Sequence, residues 1–168
     1  DEYKLSHSVE NLRKAMGSTI LLIAHVAESK DPYTAGHQKR VSNLARAIAS
    51  EMNLPSNVTD GIRMAGAIHD IGKISVPAEI LSKPGVLSNI EFSLIKTHVQ
   101  TGYDILKDVV FPWPIATIVF QHHERIDGCG YAQGLKGGQI RIEARFSSVA
   151  DVVEAIATHR PYREGLGM

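Results

Sequence analysis

The stretch GAIHDIGKISVP, residues 66–77, places three polar or charged side chains inside an otherwise apolar run. They are His69, Asp70 and Lys73, all within five positions. A buried charge is strongly destabilising unless it is paired, hydrogen-bonded or bound to a metal ion. The stretch therefore predicts that distant parts of the chain supply partners for these groups, and the fold has to bring those partners together.

The composition is that of an ordinary globular domain. The chain has 168 residues, of which 43% are hydrophobic and 21% are charged. Its 18 basic and 18 acidic residues balance, so we do not expect a nucleic-acid polymer as a partner. The single cysteine, Cys129, excludes an internal disulfide and indicates a reducing, cytoplasmic compartment. No apolar run reaches the roughly 20 residues that a membrane-spanning helix requires.

Apolar residues recur at helical spacing along most of the chain, which predicts an all-α fold. A glycine-rich loop over residues 128–138 precedes the last helix, and only QIRIEA, residues 139–144, shows strand-like alternation. Ser88 with Glu91 three residues later is typical of a capping box at a helix start. The expected helices are 1–28, one opening within 31–40, 56–69, 88–106, 115–124 and 145–159.

The first helix is amphipathic and is treated as a unit of its own, residues 1–30, ahead of a main domain over residues 31–168. Its apolar positions recur at spacings of three and four. Such a helix could be the end of a signalling coiled coil from an upstream sensor or receiver domain, and it suggests a homodimer. The apolar positions are Leu5, Leu12, Met16, Ile20, Ile23 and Val26.

Eight histidines are present, and five of them fall on the inward faces of the expected helices together with two aspartates. A single histidine on an apolar face is more often a hydrogen-bonded core residue than a metal ligand. Five such histidines with two carboxylates are hard to explain structurally, because neutral imidazole and carboxylate are ligands for a transition metal. The seven candidate ligands are His37, His69, Asp70, His98, His122, His123 and Asp151.

Four spaced blocks resemble the HD-GYP subgroup of the HD phosphohydrolases. These blocks are HDIGKISVP with ILSKPGVL, then HHERIDGCGYAQGLKG, then VADVV, then RPYR. The resemblance runs from about residue 31 to the C-terminus and marks 31–168 as a catalytic domain. It implies an all-α bundle that hydrolyses cyclic di-GMP to linear pGpG or GMP, with a hydroxide that bridges two metal ions as nucleophile. The ligands of the family fall on the same seven residues.

The resemblance also implies roles for residues that spacing alone does not single out. Lys73 would neutralise a phosphate oxygen, although it could instead cap the end of its helix. Tyr131 could stack on a guanine or simply pack the glycine-rich loop. The two arginines could grip a phosphate or form a solvated helix end. The residues that correspond to dinucleotide contacts in relatives are Asp31, Tyr131, Glu154, Arg160 and Arg163.

Three departures from the family pattern affect what we expect. Ala132 replaces the proline of the GYP tripeptide, so the loop is expected to be looser. Tyr33 stands where some relatives have a glutamate that binds a third metal, so two ions are expected here. Asp70 is the expected bridge between them, with iron favoured and manganese as the alternative. The chain also ends where the family would continue with further helices.

Two alternatives to a cyclic di-GMP phosphodiesterase stay open at the level of sequence. One is a receptor module that keeps metals and ligand but has lost turnover. The other is an HD phosphohydrolase that acts on a different cyclic dinucleotide, because the HHERIDGCGY block does not choose among them. Under any of these readings, GGDEF-type proteins are possible partners.

Overall fold

A computed structural model describes residues 2–31 and 34–158. Over these ranges the chain folds into helices joined by short turns, and the only strand-like feature is an isolated bridge between Asp127 and Lys136. The prediction of an all-α fold is confirmed. The helices are α1 (Glu2–Glu28), α2 (His37–Glu51), α3 (Ser56–Ile68), α4 (Ala78–Leu81), α5 (Asn89–Lys96), α6 (His98–Leu106), α7 (Ile115–Gln121) and α8 (Ile142–Ala157), with 3₁₀ turns at Ile71–Ser75 and Gly137–Gln139.

Two apolar clusters hold the helices together. In the first, α2, α3 and α8 meet around Val41, Ile62 and Phe146, and alanines at the contacts let the helix axes approach closely. In the second, α3, α6 and α7 pack around the fully buried Ile68 and Ile118. Each cluster stabilises the helices on one side of the candidate ligands, so the polar residues lie between two apolar regions.

The helix expected over residues 88–106 is in fact two helices that meet at Thr97. The expected capping box at Ser88 and Glu91 is present and begins α5. The hydroxyl of Thr97 donates to the Leu94 carbonyl at 2.7 Å, and the His98 ring pairs with the Ile95 carbonyl, also at 2.7 Å. Side-chain bonds of this kind compete with the helical ladder, and here they end one helix and begin the next.

Other helix boundaries also differ from the pattern-based prediction. The helix expected over 115–124 ends at Gln121, where the His122 ring forms a hydrogen bond with the Val119 carbonyl. The last helix begins at Ile142 rather than at Arg145, so the suggestion of a strand in residues 139–144 is wrong. It ends at Ala157 within the described ranges, and the expected end at His159 lies outside them.

The apolar face predicted for α1 divides into two stripes. Ile20 packs against the domain together with Ala24 and Ala27, whereas Leu12 and the other apolar positions of the helix stay exposed. No helix in the described ranges is both long enough and apolar enough to cross a membrane.

The end of α1 is tied to both sides of the candidate site. The Glu28 carboxylate accepts the backbone N–H of Gln38 at 3.2 Å, next to His37 at the start of α2. The Lys30 ammonium donates to the carbonyls of Ile74 and Val76, at 2.6 and 3.3 Å. The linker after α1 therefore fixes both the start of α2 and the segment that carries Lys73.

Gly72 sits where the 3₁₀ turn crosses α6, and a Cβ there would collide with the His98 carbonyl and lie 2.6 Å from the Gly102 nitrogen. We expect Gly72→Ala to lower the free energy of unfolding by about 2 kcal/mol or more, because backbone atoms cannot move aside as flexible side chains can. Chemical denaturation followed by circular dichroism measures this loss.

Gly17→Ala is the matched control, because nothing lies within 4 Å of a Cβ at Gly17 in the middle of α1. Alanine in a helix interior is favoured over glycine by about 0.5–1 kcal/mol, so this variant should unfold no earlier than the wild type. Equal effects of the two substitutions would show that the crossing at Gly72 is not a close one.

Candidate metal centre

The seven candidate ligands converge on one place, and six of them lie at or just beyond the end of a helix. His37 begins α2, His69 follows α3, His98 begins α6 and His122 follows α7. Asp151 alone projects from the interior of a helix, α8. His69, His98 and His122 are at most 1% exposed. The side chains therefore meet in the interior although they are spread over more than a hundred residues.

Three of the imidazoles are oriented in the same way. The Nδ1 atoms of His69, His98 and His122 pair with the carbonyl oxygen three residues earlier, at 2.8, 2.7 and 2.5 Å. In a neutral imidazole, the nitrogen that donates leaves the other as an acceptor. Each ring therefore directs the Nε2 lone pair into the centre of the cluster, as metal-ligating histidines do.

His37 is held by a carboxylate instead of a carbonyl. Its Nδ1 is hydrogen-bonded to Glu154, and its Nε2 lies 3.0 Å from Asp151 Oδ1. The buried Glu154 also accepts from Arg40 Nε and Thr158 Oγ1, both at 2.5 Å. Sequence reasoning missed this support for His37, although Glu154 follows Asp151 by three residues on the same face of α8.

Asp70 lies at the centre of the cluster, and its two oxygens face different histidines. Oδ2 is 3.4 Å from His69 Nε2, and Oδ1 is 3.4 Å from His98 Nε2. Lys73 also donates to Oδ2, at 2.7 Å. The carboxylate that the sequence marked as a bridge thus lies between two groups of histidines.

The ligand atoms form two groups that share Asp70. In each group one nitrogen or oxygen per residue lies within 4.8 Å of all the others, which is close enough to surround a metal ion. Asp151 adjoins the first group through His37 and is 3.7 Å from His69 Nε2. The first group is His37, His69 and Asp70; the second is Asp70, His98, His122 and His123.

Two features of this cluster would be satisfied by a cation. His69 Nε2 is buried with no hydrogen-bond partner among the described residues. The Nε2 atoms of His98 and His122 are 3.4 Å apart, and both are acceptors when the Nδ1 atoms donate. Such lone pairs repel each other unless a proton or a metal ion lies between them, so the donor set fits a divalent transition metal.

The electrostatics of the two groups differ. Burial lowers the pKa of His98, lowers the pKa of His123 to about 4 and holds that of His122 well below its usual value, so all three are neutral at pH 7. Burial also acts against a charge on His69, but the carboxylates of Asp70 and Asp151 outweigh it and raise its pKa to about 9.

Both carboxylates stay ionised at neutral pH. Burial acts to raise the pKa of Asp70, but Lys73 and the histidines hold it well below its ordinary range. The pKa of Asp151 is likewise lowered despite burial, because the His37 and His69 rings lie 3.0 and 3.7 Å from its Oδ1. The first group therefore holds negative charge that binds a proton on His69 and would bind a metal cation in its place.

His123 is positioned by Tyr131 rather than by a hydrogen bond through its ring. The two rings stack with centroids 4.8 Å apart, and the Tyr131 N–H donates to the His123 carbonyl at 3.2 Å. The Lys96 ammonium lies 5.3 Å from the centre of the Tyr131 ring. Tyr131 thus contacts the metal-ligand cluster directly, and a stacking contact with a guanine stays a prediction.

The glycine-rich loop is folded around a buried carboxylate, Glu124. Its oxygens accept the backbone N–H groups of Gln133 and Leu135 at 2.6 and 2.9 Å. The residues on both sides of Ala132 are therefore held by hydrogen bonds, one to the His123 carbonyl and one to Glu124. The peptide bond between Tyr131 and Ala132 is cis.

The remaining residues that the resemblance implied fall in three places. Asp31 is buried. Burial acts to lower the pKa of Lys73, but Asp70 raises it most and the charge of Asp31 adds to that increase. Glu154 lies behind His37, with its oxygens engaged by protein groups, so a contact with a dinucleotide stays a prediction. Arg160 and Arg163 lie outside the described residues, as does Tyr33.

A family model described as "HD domain" matches residues 22–168. The chain belongs to the HD domain family. A solved HD-GYP protein from Bdellovibrio bacteriovorus has the same fold, with a TM-score of 0.67 and 22% identity over 89% of this chain and 52% of that chain. The resemblance to HD-GYP proteins is confirmed, and so is the all-α HD-domain fold.

Curated relatives with this HD domain are longer proteins. The cyclic di-GMP phosphodiesterase response regulator RpfG of Xanthomonas campestris is 36% identical over 99% of this chain and 45% of its own length. A cyclic di-GMP phosphodiesterase of Pseudomonas aeruginosa is 41% identical over 82% of this chain and 34% of its own. A 3'3'-cGAMP-specific phosphodiesterase of Vibrio cholerae is 34% identical over 90% of this chain and 35% of its own length. The chain spans less than half the length of each.

Glu154→Gln should weaken binding of a metal ion at the first group about 10- to 100-fold, because glutamine keeps only one acceptor oxygen for His37 and Arg40, and the His37 ring loses the support of a carboxylate. Titration with Mn²⁺ against a chromophoric chelator measures the change. Glu143→Gln, on the same helix and paired with Arg141 at 3.0 Å, is the control and should bind as the wild type does. Equal affinities for all three proteins would contradict the supporting role of Glu154.

The affinity for a divalent cation should rise with pH up to about pH 9. The raised pKa of His69 means that the metal-free protein carries a proton there at neutral pH, and a cation has to displace it. Below pH 9 each pH unit should strengthen binding by up to about tenfold. Calorimetry in buffers of different ionisation enthalpy should detect about one released proton at pH 7. A flat affinity between pH 6 and 9 would contradict this electrostatic picture.

Proposed function

We propose that this HD domain is a metal-dependent phosphodiesterase for cyclic dinucleotides, with cyclic di-GMP as its substrate. The observation that carries the proposal is the pair of groups of candidate ligands that share one carboxylate, Asp70, in a buried cluster of imidazoles. The names of the curated relatives support the reaction class, since each of the three is a phosphodiesterase of a cyclic dinucleotide.

Two ions are proposed, one for each group. His37, His69 and Asp151 would bind the first, and His98, His122 and His123 the second, with one oxygen of Asp70 directed to each. The mixture of imidazole and carboxylate suits iron, with manganese as the alternative. Calcium fits poorly, because it prefers oxygen ligands throughout.

Bound divalent ions would supply Lewis-acid charge at the phosphate and would acidify a coordinated water. The residues of this chain do the rest. Asp70 balances positive charge and orients both ligand groups, and the Nδ1 anchors fix the tautomers before any ligand arrives. Lys73, already 2.7 Å from Asp70, is in place to neutralise a non-bridging phosphate oxygen at the edge of the cluster. Its pairing with Asp70 favours this role over capping a helix end.

Recognition of the dinucleotide is proposed for residues around this centre. Tyr131 presents an aromatic ring next to His123, and Asp31 lies close to Lys73. Arg160 and Arg163 carry the forked donors that suit the second phosphate. Cyclic GMP-AMP is the second candidate substrate, because one relative at 34% identity is named as specific for it.

The relatives are more than twice as long as this chain, and one of them is named a response regulator. This supports the proposal that the domain acts as the output unit of a longer signalling protein, with a sensor or receiver domain upstream. α1, residues 2–28, would be the connection to that domain.

Turnover of cyclic di-GMP after anaerobic loading with Fe²⁺ or Mn²⁺ tests the function. The wild type should form pGpG or GMP, and Asp70→Asn should lower the rate by about a hundredfold or more because both ligand groups lose their shared charge. Cyclic GMP-AMP is assayed in parallel to rank the two substrates.

Asp104→Asn is the matched control, because Asp104 is an exposed residue of α6 that pairs only with surface groups. The activity of this variant should equal that of the wild type. A metal-loaded protein that binds cyclic di-GMP but converts neither dinucleotide would refute the enzyme and leave a receptor.

A further inference from the structure

The part of α1 that extends from the domain has no partner among the described residues. Every side chain that the structure describes from Tyr3 to Met16 is exposed. Only Ile20, Ala24 and Ala27, further along the helix, pack on the domain. A solitary helix of this length is marginally stable in water, so an exposed apolar face along it indicates that something packs there.

Six exposed apolar residues of α1, together with Thr19, follow a heptad repeat, whereas Tyr3, Leu21 and Leu22 are exposed outside it. Successive spacings are 4, 3, 4, 3, 4 and 3 residues, which places every member at an a or d position of a coiled coil. We call these residues the heptad seam. They are Leu5, Val9, Leu12, Met16, Thr19, Ile23 and Val26.

We propose that the heptad seam pairs with the same seam of a second copy of this chain, forming a parallel, two-stranded coiled coil. The a positions are Val9, Met16 and Ile23, and leucine occupies two of the four d positions. β-Branched residues at a with leucine at d favour two parallel strands, and two of the three a positions, Val9 and Ile23, are β-branched. This inference does not depend on the proposed catalytic function.

The charges on α1 favour a second copy over a partner of another kind. Glu10 and Lys14 pair with each other on the outer side of the helix, away from the seam. The positions that flank the seam carry serine, alanine, isoleucine and leucine, with Arg13 as the one charged residue. In a parallel pair each flanking position before an a residue pairs with the position five residues later in the other helix, and no such pair in this sequence joins two like charges.

The one polar member of the seam does not prevent pairing. Thr19 Oγ1 donates to the Ala15 carbonyl at 2.9 Å within its own helix, so no unsatisfied donor would be buried. A single polar layer of this kind costs stability but helps to fix the register.

The length of the seam is sufficient for a dimer of moderate affinity. Residues 5–26 extend over about 33 Å of helix. Seven layers of paired side chains bury on the order of 1,000 Å², at the lower end of the size range of specific interfaces. The domain contacts made by Ile20, Ala24 and Ala27 lie beside the seam, and Ile23 and Val26 remain 44% and 52% exposed next to them.

Sedimentation of the complete chain over a range of concentrations is the first test. The molar mass should rise from 18.3 kDa toward twice that value at high micromolar concentration. Leu12→Glu should raise the dissociation constant at least about tenfold, since it places two charges face to face in one layer. Leu21→Glu is the matched control, because Leu21 is similarly exposed, at 54% against 63% for Leu12, but lies off the seam.

Disulfide trapping tests the orientation. In a Cys129→Ser background, Leu12→Cys should cross-link two chains, because identical d positions face each other only in a parallel, in-register pair. Lys14→Cys, on the outer side of the same turn, should not. A wild type that stays monomeric, a dimer that tolerates Leu12→Glu, or a dimer without the Leu12→Cys cross-link would each overturn the proposal.

Discussion

The structure depends on the fixed orientation of a few buried imidazole rings. His69, His98 and His122 each pair their Nδ1 with the carbonyl three residues back, and His37 does the same with Glu154. Because these bonds are made within or beside the helix ends, the backbone itself sets the tautomers. The Nε2 atoms are thereby directed into the cluster, where those of His69 and His98 lie 3.4 Å from Asp70 and that of His37 lies 3.0 Å from Asp151. The fit of the cluster to a cation follows from this arrangement.

The same bonds explain why the helices end where they do. The rings of His98 and His122 form hydrogen bonds with the carbonyls of Ile95 and Val119, which are then less available to the backbone N–H groups of the helix. Each helix therefore ends next to a candidate ligand. Function and secondary structure are therefore coupled at these residues: the chain gives up regular hydrogen bonds at Thr97 and His122 and gains oriented ligands.

The coupling also accounts for what could and could not be predicted from sequence. Periodicity and the capping box at Ser88 identified the helical class and most helix starts, because apolar spacing is a local property. Apolar periodicity did not predict the break at Thr97 or the early end of α7, because both depend on the orientation of a histidine ring. The face analysis selected all seven residues that the structure brings together, but the supports of the cluster, Arg40 and Glu124, belong to no recognisable pattern.

The bonds at the end of α1 have a mechanical consequence. One of them, from Glu28, reaches the residue next to His37, and the others, from Lys30, reach the strip of backbone that follows Lys73. Because these bonds join the end of α1 to both segments, the helix cannot rotate or slide along its axis without straining at least one of them. A rotation of α1 would therefore reach the backbone on both sides of the cluster, through one hydrogen bond from Glu28 and two from Lys30.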